Sequence, residues 1–216
     1  MTPMYNLFLE YIENLDLLYE KIRSYVDVGY NGFCIVFKKI NDPNKILKDL
    51  IKKYEKDDVK IYSRFHINEE SIKLTNVSVS KRNIFKLLNK ARKKNFTLVT
   101  IDSNYLNMFN PNEIIKFNLV TITSGVSLYT LSKLIKKPIM FEFLFDDKTL
   151  NLFPSFKEIR VLRVLLEHNK LVVSTPFYPF TPLQISAAIY GLASIKNFSY
   201  NVVSTLPLRV IESSGD

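Results

Sequence analysis

Cysteine, histidine and glycine are scarce in this sequence of 216 residues, and each shortage excludes a class of protein. Cys34 is the only cysteine, so no disulfide forms within the chain, and its place in an apolar run indicates a core side chain. His66 and His168 are the only histidines, whereas hydrolytic metal centres need several histidine and carboxylate ligands. With five glycines, the chain has no GxGxxG, GxxxxGKS/T or GxSxG motif, and it also lacks CxxC. A self-contained enzyme is therefore disfavoured.

Long uninterrupted apolar runs are also missing. No stretch reaches the roughly 20 apolar residues that span a bilayer, and acidic residues come too early in the sequence for a signal peptide. Hydrophobic residues make up 47% of the chain and aromatic residues 13%, which excludes a disordered protein. We expect a single cytoplasmic domain over residues 1–216, with a large buried core.

The chain has too few acidic residues to balance its basic ones. Its 30 Lys and Arg residues exceed its 21 Asp and Glu residues, which gives a formal net charge of +9 and favours a polyanionic partner. The imbalance is local, because residues 71–101 contain eight Lys and Arg residues and no acidic residue. The eight positive charges of that segment nearly equal the net charge of the whole chain.

Apolar strands alternate with amphipathic helices along the chain. Strands are predicted at residues 5–9, 32–37, 60–67, 96–101, 118–122, 138–144, 171–173 and 199–203. Helical patterns follow nearly all of them, which predicts right-handed βαβ crossovers and a parallel sheet. We predict a compact or distorted TIM-like (β/α) barrel, shorter than the roughly 250 residues usual for that fold. An open doubly wound sheet is the alternative.

The clearest strand-to-helix unit lies at residues 170–191. Its buried strand is followed by a proline-containing turn, after which Thr181 is the predicted N-cap of a helix and Pro182 its first residue. Gln184 stands where the third helical position completes a capping box, and Leu183 is expected in the apolar stripe.

Reactive residues of such barrels lie just past the C-terminal ends of the strands. At these positions, His66, Asp102 and Glu142 are candidates for acid–base or metal chemistry, which keeps a metal-dependent phosphoesterase as an alternative function. Arg64 alternates with His66 on the third strand, so both side chains point the same way. No motif surrounds these residues, and we expect neither a catalytic residue nor a metal ligand in the protein.

A basic ridge is predicted on the helix at residues 81–94, opposite its apolar stripe. Its members recur every three or four residues: Arg82, Lys86, Lys90, and Lys93 or Lys94. Like charges at this spacing repel, a cost that phosphate contacts would recover. An ordinary solvated face is the alternative. A smaller basic row on a later predicted helix consists of Lys157, Arg160 and Arg163.

The order of these features resembles the p30 protein subunit of ribonuclease P, called protein component 3 in archaea. The resemblance spans most of the chain and includes the strand KIYSRFHI, the segment NIFKLLNKARKKNFTLVTI and the segment NPNEIIKFNLVTI. Its most specific part is LVVSTPFYPFTPLQISAAIYGLASIKNFSYNVVSTLPLRVI. The sequence departs from that family in the loop that contains Phe177, Tyr178 and Phe180. Relatives have small residues there and an arginine-rich entry to the helix, whereas here no arginine precedes Thr181.

The resemblance implies a barrel related to the polymerase-and-histidinol-phosphatase barrels but without their metal site. It also implies a subunit that binds the catalytic RNA and a small partner protein, while the RNA, with Mg²⁺, removes the 5′ leader from precursor tRNA. We therefore predict an RNA-binding subunit of archaeal-type ribonuclease P with no cofactor of its own. A protein-binding scaffold indifferent to RNA is a further alternative. The predicted RNA-binding residues are Arg64, Lys81, Arg82, Lys86, Lys90, Arg92, Lys93, Lys94, Lys157 and Arg160.

Overall fold

Within the residues that the structure describes, seven parallel strands form one sheet in the order of the chain. The structure of the protein, a computed structural model, describes residues 3–123, 126–145, 156–181, 183–185, 187 and 200–214, without the side chains of residues 56, 156–158 and 200. The strands are β1 (Met4–Glu10), β2 (Tyr30–Phe37), β3 (Lys60–Ile67), β4 (Leu98–Asp102), β5 (Leu119–Ile122), β6 (Met140–Leu144) and β7 (Leu171–Ser174).

The sheet curls into a nearly closed barrel. Every residue of β4 and of β7 is buried, as expected for parallel strands that are covered on both faces. Each strand pairs with its predecessor in parallel register, as where Phe33 of β2 lies opposite Ile61 of β3. A doubly wound sheet would instead reverse its strand order at a switch point. The predicted TIM-like barrel is confirmed, and the doubly wound alternative is wrong.

Helices connect the strands and cover the outside of the barrel. They are α1 (Leu15–Asp27), α2 (Asn44–Tyr54), α3 (Glu69–Leu74), α4 (Lys81–Lys93), α5 (Pro111–Ile114), α6 (Leu128–Leu134), α7 (Phe156–Glu167) and α8 (Thr205–Glu212). Short 3-10 helices lie at Glu55–Asp57, Ser103–Met108 and Tyr200–Val202. Over the residues that the structure describes, no helix is long and apolar enough to cross a membrane.

Helix α4, which carries the predicted basic ridge, begins and ends where its sequence indicates. The Ser80 side chain accepts a hydrogen bond from the backbone N–H of Asn83 at 3.3 Å and so caps the first turn. After the helix, Asn95 has a φ of 59°, a left-handed conformation that asparagine tolerates at helix ends. The inward stripe is buried as expected: Ile84, Leu87, Leu88 and Ala91.

Side chains close the barrel between its first and last strands. Among the described residues, β1 and β7 lie side by side without a ladder of backbone hydrogen bonds. Asn6 of β1 donates from Nδ2 to the carbonyl of Thr175 at 2.9 Å and accepts from the N–H of Thr175 at 3.2 Å. The Ser174 hydroxyl accepts from the N–H of Leu7 at 3.3 Å. The side-chain amide of Asn6 thus makes the two hydrogen bonds that backbone groups of neighbouring strands make elsewhere in the sheet.

The expected eighth strand is wrong over the part of it that the structure describes. Residues Tyr200–Val202 form a 3-10 helix, and the carbonyl of Val203 accepts a hydrogen bond from the N–H of Tyr5 at 2.8 Å. This segment therefore covers the outer edge of β1 without joining the sheet. Part of the predicted strand, residue 199, lies outside the described residues.

The predicted capping box after β7 is present. Gln184 accepts from the N–H of Thr181 at 2.8 Å, and Thr181 accepts from the N–H of Gln184 at 3.3 Å. Leu183, expected in the apolar stripe, is instead 78% exposed. Pro182 and most of the following residues to 191 lie outside the described residues.

Removing the Asn6 amide should weaken closure of the barrel. We expect Asn6→Ala to lower the free energy of unfolding by about 1–3 kcal/mol, because the buried N–H groups of Thr175 and Phe8 lose their acceptor. Chemical denaturation measures this change. Asn31→Ala is the control, since Asn31 is exposed on β2, and an equal loss in both variants would contradict the role given to Asn6.

Candidate nucleic-acid interface

A charged and polar cluster fills the barrel interior, where enzymes of this fold place their chemistry at one end. Arg64 of β3 is completely buried, and each of its five N–H donors has an acceptor. Two donors bind the Glu142 carboxylate, at 2.8 Å from Nη1 to Oε1 and 2.7 Å from Nη2 to Oε2. The other three bind the hydroxyl of Thr100 at 2.9 Å, the carbonyl of Leu7 at 2.7 Å and the hydroxyl of Thr121 at 2.7 Å.

Glu142 of β6 is equally buried and fully bonded. Besides Arg64, its carboxylate accepts from the hydroxyl of Ser174 at 2.7 Å and from that of Thr121 at 2.9 Å. The guanidinium also stacks over the ring of Phe8, 4.7 Å from its centroid. The cluster draws groups from β1, β3, β4, β5, β6 and β7, and it leaves no donor of the guanidinium for an outside ligand.

The prediction that Arg64 binds RNA is therefore wrong. A phosphate would have to enter the barrel and displace Glu142, and the side chain has no exposed surface. The strand pattern alone places Arg64 and His66 on one face, but it does not tell whether that face is turned inward. Here it is turned inward.

The three residues of the phosphoesterase alternative have other partners. His66 is buried and its Nδ1 lies 3.0 Å from the Thr100 hydroxyl, while Glu142 is held by Arg64. Asp102 accepts from the N–H of Asn104 at 2.8 Å, so it caps the 3-10 helix that follows β4, and it also binds the Thr123 hydroxyl. Within the described residues, no three His, Cys, Asp or Glu side chains come together in a group that could hold a metal ion. The structure thus gives this alternative no assembled site.

The space beside His66 is also too small for a substrate. A cavity of about 20 Å³ borders His66, Phe8 and Glu10 near the C-terminal ends of the strands, which is room for about one water molecule.

The exposed face of α4 carries the basic ridge in the form that the sequence predicts. Across the described residues, its members make no salt bridge and no side-chain hydrogen bond: Arg82, Lys86, Lys90, Lys93 and Lys94. Each side chain is exposed, and the buried stripe holds the helix firmly against β3 and β4. A rigid row of solvated cations is the arrangement that binds a nucleic-acid backbone.

Two further predicted RNA-binding residues of α4 already have protein partners. Lys81 forms a 2.6 Å salt bridge with Glu113 of α5, so an acidic residue does offset one charge at the start of the helix. Arg92 donates from Nη2 to the carbonyl of Lys116 at 2.6 Å. Both side chains fix α4 against the segment that precedes β5.

The second basic row lies elsewhere on the barrel. Arg160 and Arg163 are exposed on α7, which leads into β7, whereas α4 leads into β4. Because the strands follow chain order around the barrel, α5 and α6 separate the two rows. The side chain of Lys157 lies outside the described residues.

An open cavity that the sequence did not indicate lies beyond the C-terminal ends of β1 and β2. Its volume is about 600 Å³, and its lining includes Tyr11 stacked on Phe37 with centroids 5.0 Å apart. Two other lining residues, Lys38 and Glu70, form a salt bridge at 3.0 Å. Its charged residues carry both signs, so the cavity is not a basic site. It was missed because its lining comes from separate loops that only the barrel brings together.

The interior cluster did leave a signal in the sequence. Thr121 and Ser174, like Arg64 and Glu142, are polar residues inside otherwise apolar strands that are buried on both faces. A polar residue in such a strand needs a buried partner, so several of them together indicate a polar network.

The protein shares its fold with a chain of archaeal ribonuclease P. That chain belongs to the cryo-EM structure of archaeal ribonuclease P with mature tRNA, at a TM-score of 0.60 and 16% identity, with 97% of this chain and 87% of that one covered. A second similar structure is ochratoxinase from A. niger, with a TM-score of 0.52, 8% identity, and 99% of this chain and 70% of that one covered. No protein-family model and no curated protein matches the sequence.

Removing one partner of the interior pair should destabilise the protein strongly. We expect Arg64→Met or Glu142→Gln to lower the free energy of unfolding by about 3–5 kcal/mol, because each leaves the other group buried without its partner. Urea or guanidinium denaturation measures the loss. The double variant Arg64→Met/Glu142→Gln should lose clearly less than the two single losses added, and simple additivity would contradict the coupling.

Burial of His66 should make stability depend on pH. Desolvation, and then the positive charge of Arg64, hold the pKa of His66 well below its usual value of 6.5, so the imidazole is neutral in the folded protein. The unfolded chain binds the extra proton as the pH falls below 6.5. The contribution of His66 to the free energy of unfolding is therefore fully present above pH 6.5. Below that pH the free energy of unfolding declines by up to about 1.4 kcal/mol per pH unit.

Unfolding free energies measured from about pH 8 to pH 5, where carboxylates remain ionised, test this slope. We expect His66→Gln to flatten it and His168→Gln, at an exposed position, to leave it unchanged. A slope that survives in His66→Gln would show that another group is responsible.

Proposed function

We propose that the protein is an RNA-binding subunit of archaeal-type ribonuclease P that supports removal of the 5′ leader from precursor tRNA. The observation that carries the proposal is the exposed cationic ridge of α4, set on a barrel shared over 97% of this chain with a chain of archaeal ribonuclease P bound to tRNA. The resemblance of the sequence to that subunit family supports the same assignment independently of the fold.

In this role the protein positions RNA and does not cut it. Its interior polar groups bind one another, and the residues considered for acid–base work have structural partners. Cleavage is assigned to the catalytic RNA, with Mg²⁺ held there and no cofactor in the protein. The enzyme is thus the whole assembly, and this chain contributes to an endonuclease without an active site of its own.

The partners proposed are ribonuclease P RNA, precursor tRNA through the holoenzyme, and a small partner protein subunit, all in the cytoplasm. Phosphate contacts come first from Arg82, Lys86, Lys90, Lys93 and Lys94, whose charges have no anionic partner among the described residues. Contacts from Lys81 and Arg92, which also bind Glu113 and the Lys116 carbonyl, and from Arg160 on the separate row of α7 stay predictions. A contact from Lys157 stays a prediction.

Neutralising the ridge should weaken RNA binding and reduce its dependence on salt. The variant combines Arg82→Gln, Lys86→Gln, Lys90→Gln and Lys93→Gln. Each lost phosphate contact reduces the magnitude of the slope of log affinity against log salt by about 0.7–0.9. For binding to archaeal ribonuclease P RNA we therefore expect the magnitude of the slope to fall by about three. Filter binding over a salt series measures the slope.

The matched control replaces four exposed lysines of α2 and β3 with Gln: Lys45, Lys48, Lys52 and Lys60. It changes the net charge by the same amount, so an effect of overall charge would appear equally in both variants. A ridge variant with the slope of the control would exclude α4 from the RNA interface.

Reconstitution of the holoenzyme separates the subunit from a scaffold indifferent to RNA. Adding the wild-type chain to the RNA and the other subunits should raise the rate of leader removal, and the ridge variant should raise it less. If the ridge variant and the wild type support cleavage equally at all salt concentrations, the protein acts through its protein contacts alone.

A further inference from the structure

The N-terminal end of the barrel is divided by charge. Four consecutive turns, which lead into β4, β5, β6 and β7, contain five lysines and no acidic residue in residues 94–97, 115–118, 135–139 and 168–170. We call them the basal lysines: Lys94, Lys116, Lys136, Lys137 and Lys170. Because all strands are parallel and adjacent in chain order, these turns are neighbours at one end of the barrel.

The segments before β2 and β3 differ from these turns because they contain acidic residues. Glu55, Asp57 and Asp58 lie between α2 and β3, next to exposed lysines, and Asp27 is the last residue of α1. Arg23 of α1 bridges two of these acids, with 3.0 Å to Asp27 and 3.7 Å to Asp57. A polyanion that approaches this end therefore meets only basic charge in the turns before β4 to β7 and charges of both signs before β2 and β3.

Contacts between the basic turns hold them in place. The ammonium of Lys170 donates to the carbonyl of Lys137 at 2.8 Å, and that of Lys137 donates to Asn112 of α5 at 2.9 Å. Lys116 lies with its ammonium 5.1 Å from the ring centroid of Phe85 on α4, and its carbonyl receives Arg92. The surface is continuous from the ridge of α4 to the turn before β7.

We propose that the basal lysines form a second RNA-binding surface, joined to the α4 ridge, that contacts the sugar-phosphate backbone of the same RNA. The inference rests on the proposed function, and it assigns the surface that the bound RNA follows beyond α4. Packed helices lie about 10 Å apart, so four neighbouring units span roughly 30 Å, enough for several phosphates. Lysine ammonium groups act as point charges, which suits backbone contacts and not the reading of bases.

Direct protection tests the surface without altering the fold. The wild-type chain is acetylated with an amine-reactive ester, with and without archaeal ribonuclease P RNA, and modification is read by mass spectrometry. We expect RNA to protect the exposed Lys116 and Lys136 several-fold, and to leave Lys45, Lys48 and Lys52 on α2 as reactive as before.

A matched pair of variants gives the energetic test. The basal variant carries Lys116→Gln and Lys136→Gln, which spares Lys94 of the ridge and the two lysines whose ammonium groups bind neighbouring turns. The control carries Lys45→Gln and Lys48→Gln. The basal variant should lower the salt slope of RNA binding by about 1.5, while the control changes it by less than about half of that.

The outcomes separate this inference from the proposed function. If the wild type does not bind the RNA, both fail. If the wild type binds and the ridge variant is weakened, but the basal variant matches the α2 control and Lys116 and Lys136 stay unprotected, the second surface is overturned and the proposed function stands. Thermal unfolding of each variant checks that a loss of binding is not a loss of fold.

Discussion

The barrel depends on the buried pair of Arg64 and Glu142. A buried charge is stable only when it is paired and hydrogen-bonded, so every group that binds the pair must keep its position. The pair and the groups that bind it come together from six strands, and they include Ser174 at the seam where β7 meets β1. Together with the Asn6 amide, the pair takes over the closure that an unbroken backbone ladder provides in a complete barrel.

The same pair decides where function lies. In a (β/α) barrel the C-terminal end of the interior is available for chemistry, but here a guanidinium and its partners fill it. Exposed cations that include the ridge of α4 and lysines of the turns before β4 to β7 lie on the outside of the barrel. The interior polar residues therefore serve the architecture, and the proposed contact with RNA falls to the outside of the barrel.

Features that depend on neighbouring residues were predictable from the sequence. The first seven strands, the inward stripe of α4 and the Thr181 capping box follow from local pattern and were found where expected. The errors concern long-range partners. Arg64 was predicted to bind RNA, and the strand that carries it gives no sign of its buried partner, which is 78 residues away. Residues 200–203 have strand-like composition, but they cover β1 instead of pairing with it.

By itself, the sequence determined the parallel barrel and the cationic ridge, because hydrophobic period, caps and charge spacing are local properties of the chain. Only the tertiary structure decided which basic residues are buried, how the seam is closed, and that lysines of four distant turns share one end of the barrel. Burial and charge pairing depend on which distant strands become neighbours, and a local sequence pattern does not show which strands those are.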